Sequence, residues 1–322
     1  MKKLLRIIKN TIIAFLPPLI LFFVIKLFAP NQMLFANLWL ALLNAISATV
    51  LAVGVTFSFK SGNWDLAIGA EAIIAAIVGG QLALKMNVGV IGLIIGCTLA
   101  GLIAGFATGA VYRVLKVPSI IVTLGMLLLF ESLCTILFEG GGVIIPSEWV
   151  VLGRFPFNVI IGICACLLAY YILFHRKIGF HLNAVGDNIN LAHFNGLNVY
   201  KVKLASFAFA GLFAGIYAFL SLGSNGVQKA PSNSMASLGI AFDAMMGMFL
   251  GTALSKRVNL ILGIYIGEVF MQLIKMALII FNVSSSFKSV IIAVMVVVFM
   301  AVSARSDLFK KRKIIAWKGK RC

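Results

Sequence analysis

The chain has 322 residues, of which 62% are hydrophobic and 11% charged, and its mean hydropathy is +1.09. A soluble domain is nearer half apolar and about a quarter charged, and no fold of this length buries such an excess in water. Lipid is therefore part of its solvent, which excludes soluble enzymes and disordered scaffolds. The net charge of +18, from 27 Lys and Arg against 9 Asp and Glu, would suit a nucleic-acid partner, but its placement argues against one. The start holds Lys2, Lys3, Arg6 and Lys9, and the stretch from Arg305 holds eight more basic residues against one acid, Asp307, so the two ends supply eleven of the eighteen net charges. Positive charge flanking apolar spans marks the cytoplasmic side and puts both ends there, where anionic lipid headgroups attract it.

A bilayer crossing needs about 20 mostly apolar residues. In chain order the polar breaks leave ten such stretches: 11–29, 35–59, 65–84, 89–112, 118–138, 156–174, 201–222, 237–254, 258–281 and 286–303. The basic start and apolar run resemble a signal peptide without a small-residue cleavage site, so the first stretch is expected to stay as a helix. An even count agrees with two cytoplasmic ends. The expected cytoplasmic loops carry Lys60, then Arg113 and Lys116, then Arg176, Lys177 and Lys201, then Lys256 and Arg257; the expected outer loops carry Lys85, Arg154 and Lys229. The charge asymmetry follows the same rule.

Small residues recur at four-residue intervals in Gly101-x3-Gly105-x3-Gly109, Gly96-x3-Ala100-x3-Ala104, Gly211-x3-Gly215, Gly247-x3-Gly251 and Gly263-x3-Gly267. In lipid such faces let helix backbones approach closely, so a compact bundle of many helices is expected. Cys97, Cys134, Cys164 and Cys166 lie in apolar runs without zinc-site spacing and read as small hydrophobes. Phosphate-loop, zinc-protease and nucleophile-elbow motifs are absent. His175, His181 and His193 all fall in one polar loop.

Acids at membrane depth carry more information, because charge there is expensive. Glu71, Glu131, Asp243 and Glu268 lie in expected spans, with Lys275 near Glu268; they either line a hydrophilic path or fix helix packing. In the stretch 58–69, Ser61-Gly62-Asn63 is expected to break one helix and Asp65 to cap the next. The loop 175–200 is the largest internal polar segment, with a short helix expected over Asn188–Phe194 and Gly196 as its C-cap. Ile189, Leu191 and Phe194 would be exposed there unless docked on a partner or on the bundle.

Four collinear motifs carry a resemblance. Ser61-Gly62-Asn63-Trp64-Asp65-Leu66-Ala67-Ile68-Gly69 resembles the (S/G)-G-x-I-D-L-S-V-G signature of ribose-type sugar permeases of ATP-binding-cassette importers. Pro118-Ser119-Ile120-Ile121-Val122-Thr123-Leu124-Gly125-Met126 is similar to their P-x-F-I-V-T-L-G-M helix start. Ala184-Val185-Gly186-Asp187-Asn188, with Ala192 and Gly196-Leu197-Asn198-Val199, resembles A-x-G-x-N-x-x-A-A-x-x-x-G-I-x-V, and Asp243-Ala244 a late D-A-I-A-A segment. The matches cover about residues 35–300. The chain departs from the pattern at 249–258 and at Glu131, where such permeases often carry Arg.

The resemblance implies an all-α integral membrane protein of the type II importer fold, a bundle of about ten transmembrane helices forming one permease domain over 1–322, with a coupling loop at 175–200 and a basic cytoplasmic tail at 304–322. It implies a bacterial cytoplasmic-membrane location and three protein partners: a second permease copy or paralogue, a separate cytoplasmic ATPase that binds the ATP, and an extracytoplasmic solute-binding protein. The chain itself is then no enzyme and holds no cofactor or metal. Gly186, Asp187, Asn188, Ala192, Phe194 and Gly196 become the coupling residues. Asn44, Trp64, Asp65, Thr123, Glu131 and Asp243 become candidates for the solute path. A monosaccharide is the expected cargo. Related permeases for branched-chain amino acids, nucleosides or a furanosyl autoinducer, and a carrier driven by an ion gradient through Glu131 and Asp243, stand as alternatives.

Overall fold

The computed structural model describes residues 2–255 and 257–283, together with positions 287, 290, 291 and 294. Among these residues eight helices are long and apolar enough to cross a membrane. They are α1 (Lys2–Phe28), α2 (Phe35–Lys60), α3 (Ile68–Lys85), α4 (Gly89–Leu115), α5 (Ser119–Ile136), α6 (Phe157–His175), α9 (Val199–Asn225) and α11 (Leu260–Ile280). Each coincides with an expected span. The expected eighth span is a shorter helix, α10 (Leu238–Leu254), of 17 residues. The expected tenth span, 286–303, and the basic tail at 304–322 lie outside the described residues, as does Lys256.

Two short helices, α7 (Lys177–Asp187) and α8 (Ile189–Phe194), fill the loop between α6 and α9. A two-stranded antiparallel ladder joins β1 (Val143–Ile144) to β2 (Val227–Gln228), with Val143 opposite Gln228 and Ile144 opposite Val227. Its strands tie the connection after α5 to the one after α9. The Gln81 amide donates to the Gly142 carbonyl at 2.6 Å, which fixes the ladder to the end of α3.

The chain forms two compact units, one of residues 36–244 and one of residues up to 35 with the described residues from 245 onward. The larger unit is organised by glycine. The Gly101, Gly105 and Gly109 face of α4 lies directly on Gly211 and Gly215 of α9: a Cβ at Gly105 would sit 2.7 Å from the Gly211 Cα, and one at Gly101 2.6 Å from the Gly215 Cα. Gly96 of α4 meets Gly79 of α3 in the same way, its Cβ 2.9 Å from the Gly79 carbonyl oxygen. In lipid the hydrophobic effect does not draw helices together, so this backbone proximity and its dispersion contacts hold the core. Around it, Phe57 of α2 stacks on Phe209 and Phe213 of α9, with ring centroids 5.3 Å apart in both pairs. On α6, Gly162, Ala165, Ala169 and Leu173 face inward, whereas Ile160, Ile163, Leu167 and Leu168 face outward as a lipid surface would. Cys97 and Cys134 are buried as expected; Cys164 is exposed on the outward side of α6, a correction that follows from its helical phase.

The smaller unit repeats the device. Gly247 and Gly251 of α10 meet Gly263 and Gly267 of α11: Cβ atoms at Gly263 and Gly267 would lie 2.7 and 2.8 Å from the carbonyls of Gly251 and Gly247. Helix α1 carries Pro17 and Pro18 in its interior, tolerated in membrane helices where neighbours satisfy the freed carbonyls. It packs on α11 through Phe15 and Tyr265, and the Asn10 amide donates to the Arg257 carbonyl at 3.2 Å.

Gly211→Ala places a methyl group against the Gly101 carbonyl and is expected to cost about 1–3 kcal/mol by overpacking. Gly125→Ala meets nothing within 4 Å and, inside α5 where alanine is the better helix former, should raise stability by about 0.5–1 kcal/mol. Thermal melts of the two variants in detergent, read against the parent, check both values.

Candidate functional site

Helix α2 ends at Lys60 because Ser61, Gly62 and Asn63 turn the chain: Gly62 takes φ +77°, and the amides of Ser61 and Asn63 both donate to the Ser58 carbonyl at 3.1 Å. The turn is buried and closely hydrogen-bonded. The Ser61 hydroxyl donates to the Ser58 carbonyl at 2.8 Å and lies 2.9 Å from the Ser206 hydroxyl of α9; the Asn63 amide donates to Ser61 Oγ at 3.0 Å. The Ser58 hydroxyl donates to Asp65 Oδ2 at 3.1 Å.

The expected cap is corrected in register. The N-cap position of α3 is Ala67, with no side-chain cap bond, and Asp65 stands two residues earlier. Its carboxyl group nevertheless faces the backbone amides of Ala67 and Ile68. Burial pushes this carboxyl up to about 7, offset in part by the Ser58 hydroxyl and those two amides.

Trp64 and Thr123 come together, as two members of the expected solute path. The Trp64 amide donates to Ser119 Oγ at 3.0 Å, and the Thr123 hydroxyl donates to the Trp64 carbonyl at 3.3 Å. The start of α5 is thereby fastened to the break between α2 and α3, with Phe59 edge-on to the Trp64 ring at 5.7 Å. Asn44 does not join them. It is exposed on α2, sixteen residues before Lys60, about 24 Å along the helix.

The loop 175–200 attaches to the same break. A Cβ at Gly186 would fall on the Lys60 carbonyl and 3.3 Å from the Gly62 nitrogen, so only glycine lets α7 lie this close. The Lys60 ammonium donates to Asn183 Oδ1 at 3.2 Å and lies over the Phe174 ring at 5.1 Å. Asn188 then caps α8, its side chain accepting the Leu191 amide at 3.0 Å. The expected C-cap is shifted by one residue: Asn195 is the C-cap of α8 and Gly196 follows it with φ +80°, its amide bonded to the His193 carbonyl at 2.9 Å. Ala192 is 4% exposed and anchors α8 inward, whereas Ile189, Leu191 and Phe194 point outward, Phe194 at 85% exposure. Asp187 is exposed beside them. The expected short helix is present; α7 before it was not expected.

The membrane-depth acids divide. Glu131 of α5 is buried, and its carboxylate accepts the Met235 amide, the Ser237 amide and the Ser237 hydroxyl. Glu71 of α3 accepts the Thr108 hydroxyl of α4 at 2.6 Å. Asp243 is half-buried on α10, six residues after Ser237, and Glu268 is buried against Gly247 in the smaller unit. Among the described residues no cluster of His, Cys, Asp and Glu is arranged to hold a metal ion.

Ser58, Ser119, Asn183 and Ser206 form the polar frame of the break, and the sequence reading singled out none of them as a site residue. Ser58 opens the stretch 58–69 and Ser119 lies within the Pro118–Met126 motif. Ser206 and Asn183 reach it across 145 and 123 residues, a pairing that local spacing does not display.

A raised carboxyl pKa favours the protonated form, so Asp65 costs little stability at low pH. The cost grows as pH climbs from the ordinary carboxylate range through about 7. Asp65→Asn should therefore gain melting temperature relative to the parent at pH 8 and gain less at pH 5. An equal difference at both pH values would contradict the burial effect.

Comparison with known proteins agrees with the sequence motifs. The chain is 27% identical over 306 residues to the ribose import permease protein of Escherichia coli K12, covering 90% of this chain and 92% of that one. It is 27% identical over 280 residues to an L-arabinose transporter permease protein of Azospirillum brasilense, covering 85% and 81%. It is 24% identical over 272 residues to the galactofuranose transporter permease protein of Escherichia coli K12, covering 81% and 77%. No solved protein structure matches. The profile of the family described as "Branched-chain amino acid transport system / permease component" matches residues 37–300, and the chain belongs to that family.

Proposed function

We propose that the chain is the membrane-spanning permease of an importer for a monosaccharide or closely related sugar, powered by ATP that a separate cytoplasmic ATPase binds and hydrolyses. Its partners in this reading are a second permease copy or paralogue, that ATPase, and a solute-binding protein outside. Both termini lie in the cytoplasm. The break 61–67 and the loop 175–200 then sit at the cytoplasmic end, and the β1–β2 ladder at the outer end. The sugar assignment is supported by relatives named for ribose, L-arabinose and galactofuranose that align over most of their length.

One observation carries the coupling assignment. Helix α8 presents Ile189, Leu191 and Phe194 outside the bundle, while Gly186 seats the preceding helix on the break between α2 and α3. An apolar face exposed beyond the spans suits a protein partner. A displacement applied there is transmitted through backbone at Gly186 and through the Lys60–Asn183 bond to the start of α3. Docking and pathway are thereby joined by rigid elements, the requirement for coupling between two sites. Asp187 and Asn188 shape the docking edge, Asn188 through its cap and Gly196 through its turn.

Phe194→Ala should weaken ATPase binding by about 2 kcal/mol, about thirtyfold, as for a central apolar anchor. Gly186→Leu should leave binding within a few fold but separate ATP hydrolysis from sugar uptake. Proteoliposomes holding the complete assembly measure both quantities. Normal uptake with normal ATPase stimulation in the Gly186 variant overturns the coupling assignment.

A further inference from the structure

Between β2 and α10 the nine residues Lys229-Ala230-Pro231-Ser232-Asn233-Ser234-Met235-Ala236-Ser237 form neither helix nor strand. Pro231 has no amide hydrogen to give to either, and Met235 takes φ +62°. The segment is held at both ends. Its beginning follows the ladder strand paired with β1. Its end is held by Glu131: Oε2 accepts the Met235 amide at 2.7 Å, and Oε1 accepts the Ser237 amide at 2.7 Å and the Ser237 hydroxyl at 2.6 Å. Ser237 is buried, with its carbonyl against Gly69 of α3.

Glu131 lies five residues before Ile136, the last residue of α5, about 8 Å along the helix from its later end, within the membrane-spanning helix. The segment thus descends from the ladder to membrane depth, and α10 starts there. That is why α10 is short: its 17 residues reach about 25 Å, less than the hydrocarbon core of about 30 Å. Irregular backbone at this depth is tolerated only inside protein or along a water-filled space. Ser232, Asn233, Ser234, Met235 and Ala236 are all exposed, so none of them is packed away inside the unit that holds Glu131.

We propose that Glu131 is a positioning residue for transport, holding 232–236 as one wall of the aqueous entry, where Ser232, Asn233 and Ser234 offer hydroxyl and amide groups to an uncharged polyhydroxylated solute. The inference rests on the translocation reading above. A carboxylate is the right group for this task. Its two oxygens face three donors, and it accepts from all of them without a donor of its own. A glutamine would turn an NH2 group toward one of the backbone amides and lose that bond. The acid also stands at the start of α10, where the helix dipole favours negative charge. Glu131 is therefore assigned to the shape of the path rather than to carrying a proton along it.

The test is cysteine labelling of the full chain in intact cells by a charged, membrane-impermeant methanethiosulfonate added outside, with the parent chain as background. Ser234→Cys should react about tenfold faster than Leu129→Cys, which is exposed on the outer surface of α5, because only a wet thiol ionises and reacts. Equal rates overturn the aqueous placement of the segment. In the Ser234→Cys chain, Glu131→Gln should change the labelling rate about tenfold and raise the KM for D-ribose uptake more than it lowers the maximal rate, with the melting temperature lowered by the loss of one bond. An unchanged labelling rate overturns the positioning role. Should Glu131→Gln fail to fold, Ser237→Ala removes only the hydroxyl bond and should shift the rate about threefold; no shift is equally decisive. If the parent assembly moves none of D-ribose, L-arabinose and D-galactose, the sugar reading fails, while the labelling still decides the placement of the segment.

Discussion

Several buried polar contacts in the larger unit depend on how closely α4 packs on its neighbours α3 and α9. Their glycine faces bring backbone to within side-chain distance, and that spacing places groups from distant parts of the chain opposite one another. The Lys203 ammonium of α9 is buried and donates to the Tyr112 hydroxyl of α4 at 2.9 Å. The Thr108 hydroxyl of α4 reaches Glu71 of α3, and Ser206 of α9 reaches Ser61 at the break after α2. A helix displaced by the width of one methyl group would leave each of these donors or acceptors unpaired in a medium that supplies no water, at about 1–3 kcal/mol apiece. Close packing and polar satisfaction are therefore one constraint here. Glycine is what makes the buried hydrogen bonds possible.

The break at 61–67 is where α5, α7 and the start of α3 converge. Its turn is stabilised by its own serines and Asn63. The start of α5 is bonded to Trp64 through Ser119 and Thr123, and α7 lies on Lys60 and Gly62 through Gly186. Because the contacts are to backbone atoms or to short side chains, little rotamer freedom separates α8 from the start of α3. In the coupling reading proposed above, motion of the outward-facing α8 would thus be delivered to a buried helix rather than absorbed by flexible side chains.

Much of the architecture was legible in the chain. The apolar runs located the long helices, and the four-residue glycine intervals identified the packing faces, because both effects are local and periodic. The partners of those faces were not legible: which glycine helix meets which is decided by the arrangement of the whole bundle. Gly186 and Asn188 were recognisable from their motif, and the structure adds the reason for each, a backbone approach and a helix cap. Asp65 was placed as a cap and stands two residues too early for it, since a tight turn after Gly62 shifts the start of α3 in a way propensity does not register. Glu131 was readable only as an acid in lipid. Its partners are amides of a segment about a hundred residues away, and an amide carries no signature of its own in a sequence.

That last property has an evolutionary side. Two of the three bonds of the clasp at Glu131 come from main-chain donors, which every residue except proline supplies, so position 235 is free to drift in identity while the geometry persists, whereas position 237 also contributes its hydroxyl. Glycine or asparagine at 235 would adopt the positive φ more readily than methionine does. Substitutions at 235 consequently need no compensation at 131, and paired variation between these two positions would leave this contact silent. The solute-facing residues just before it can then be exchanged for other chemistries on a fixed backbone, a route by which one scaffold acquires a new cargo without rebuilding its helices.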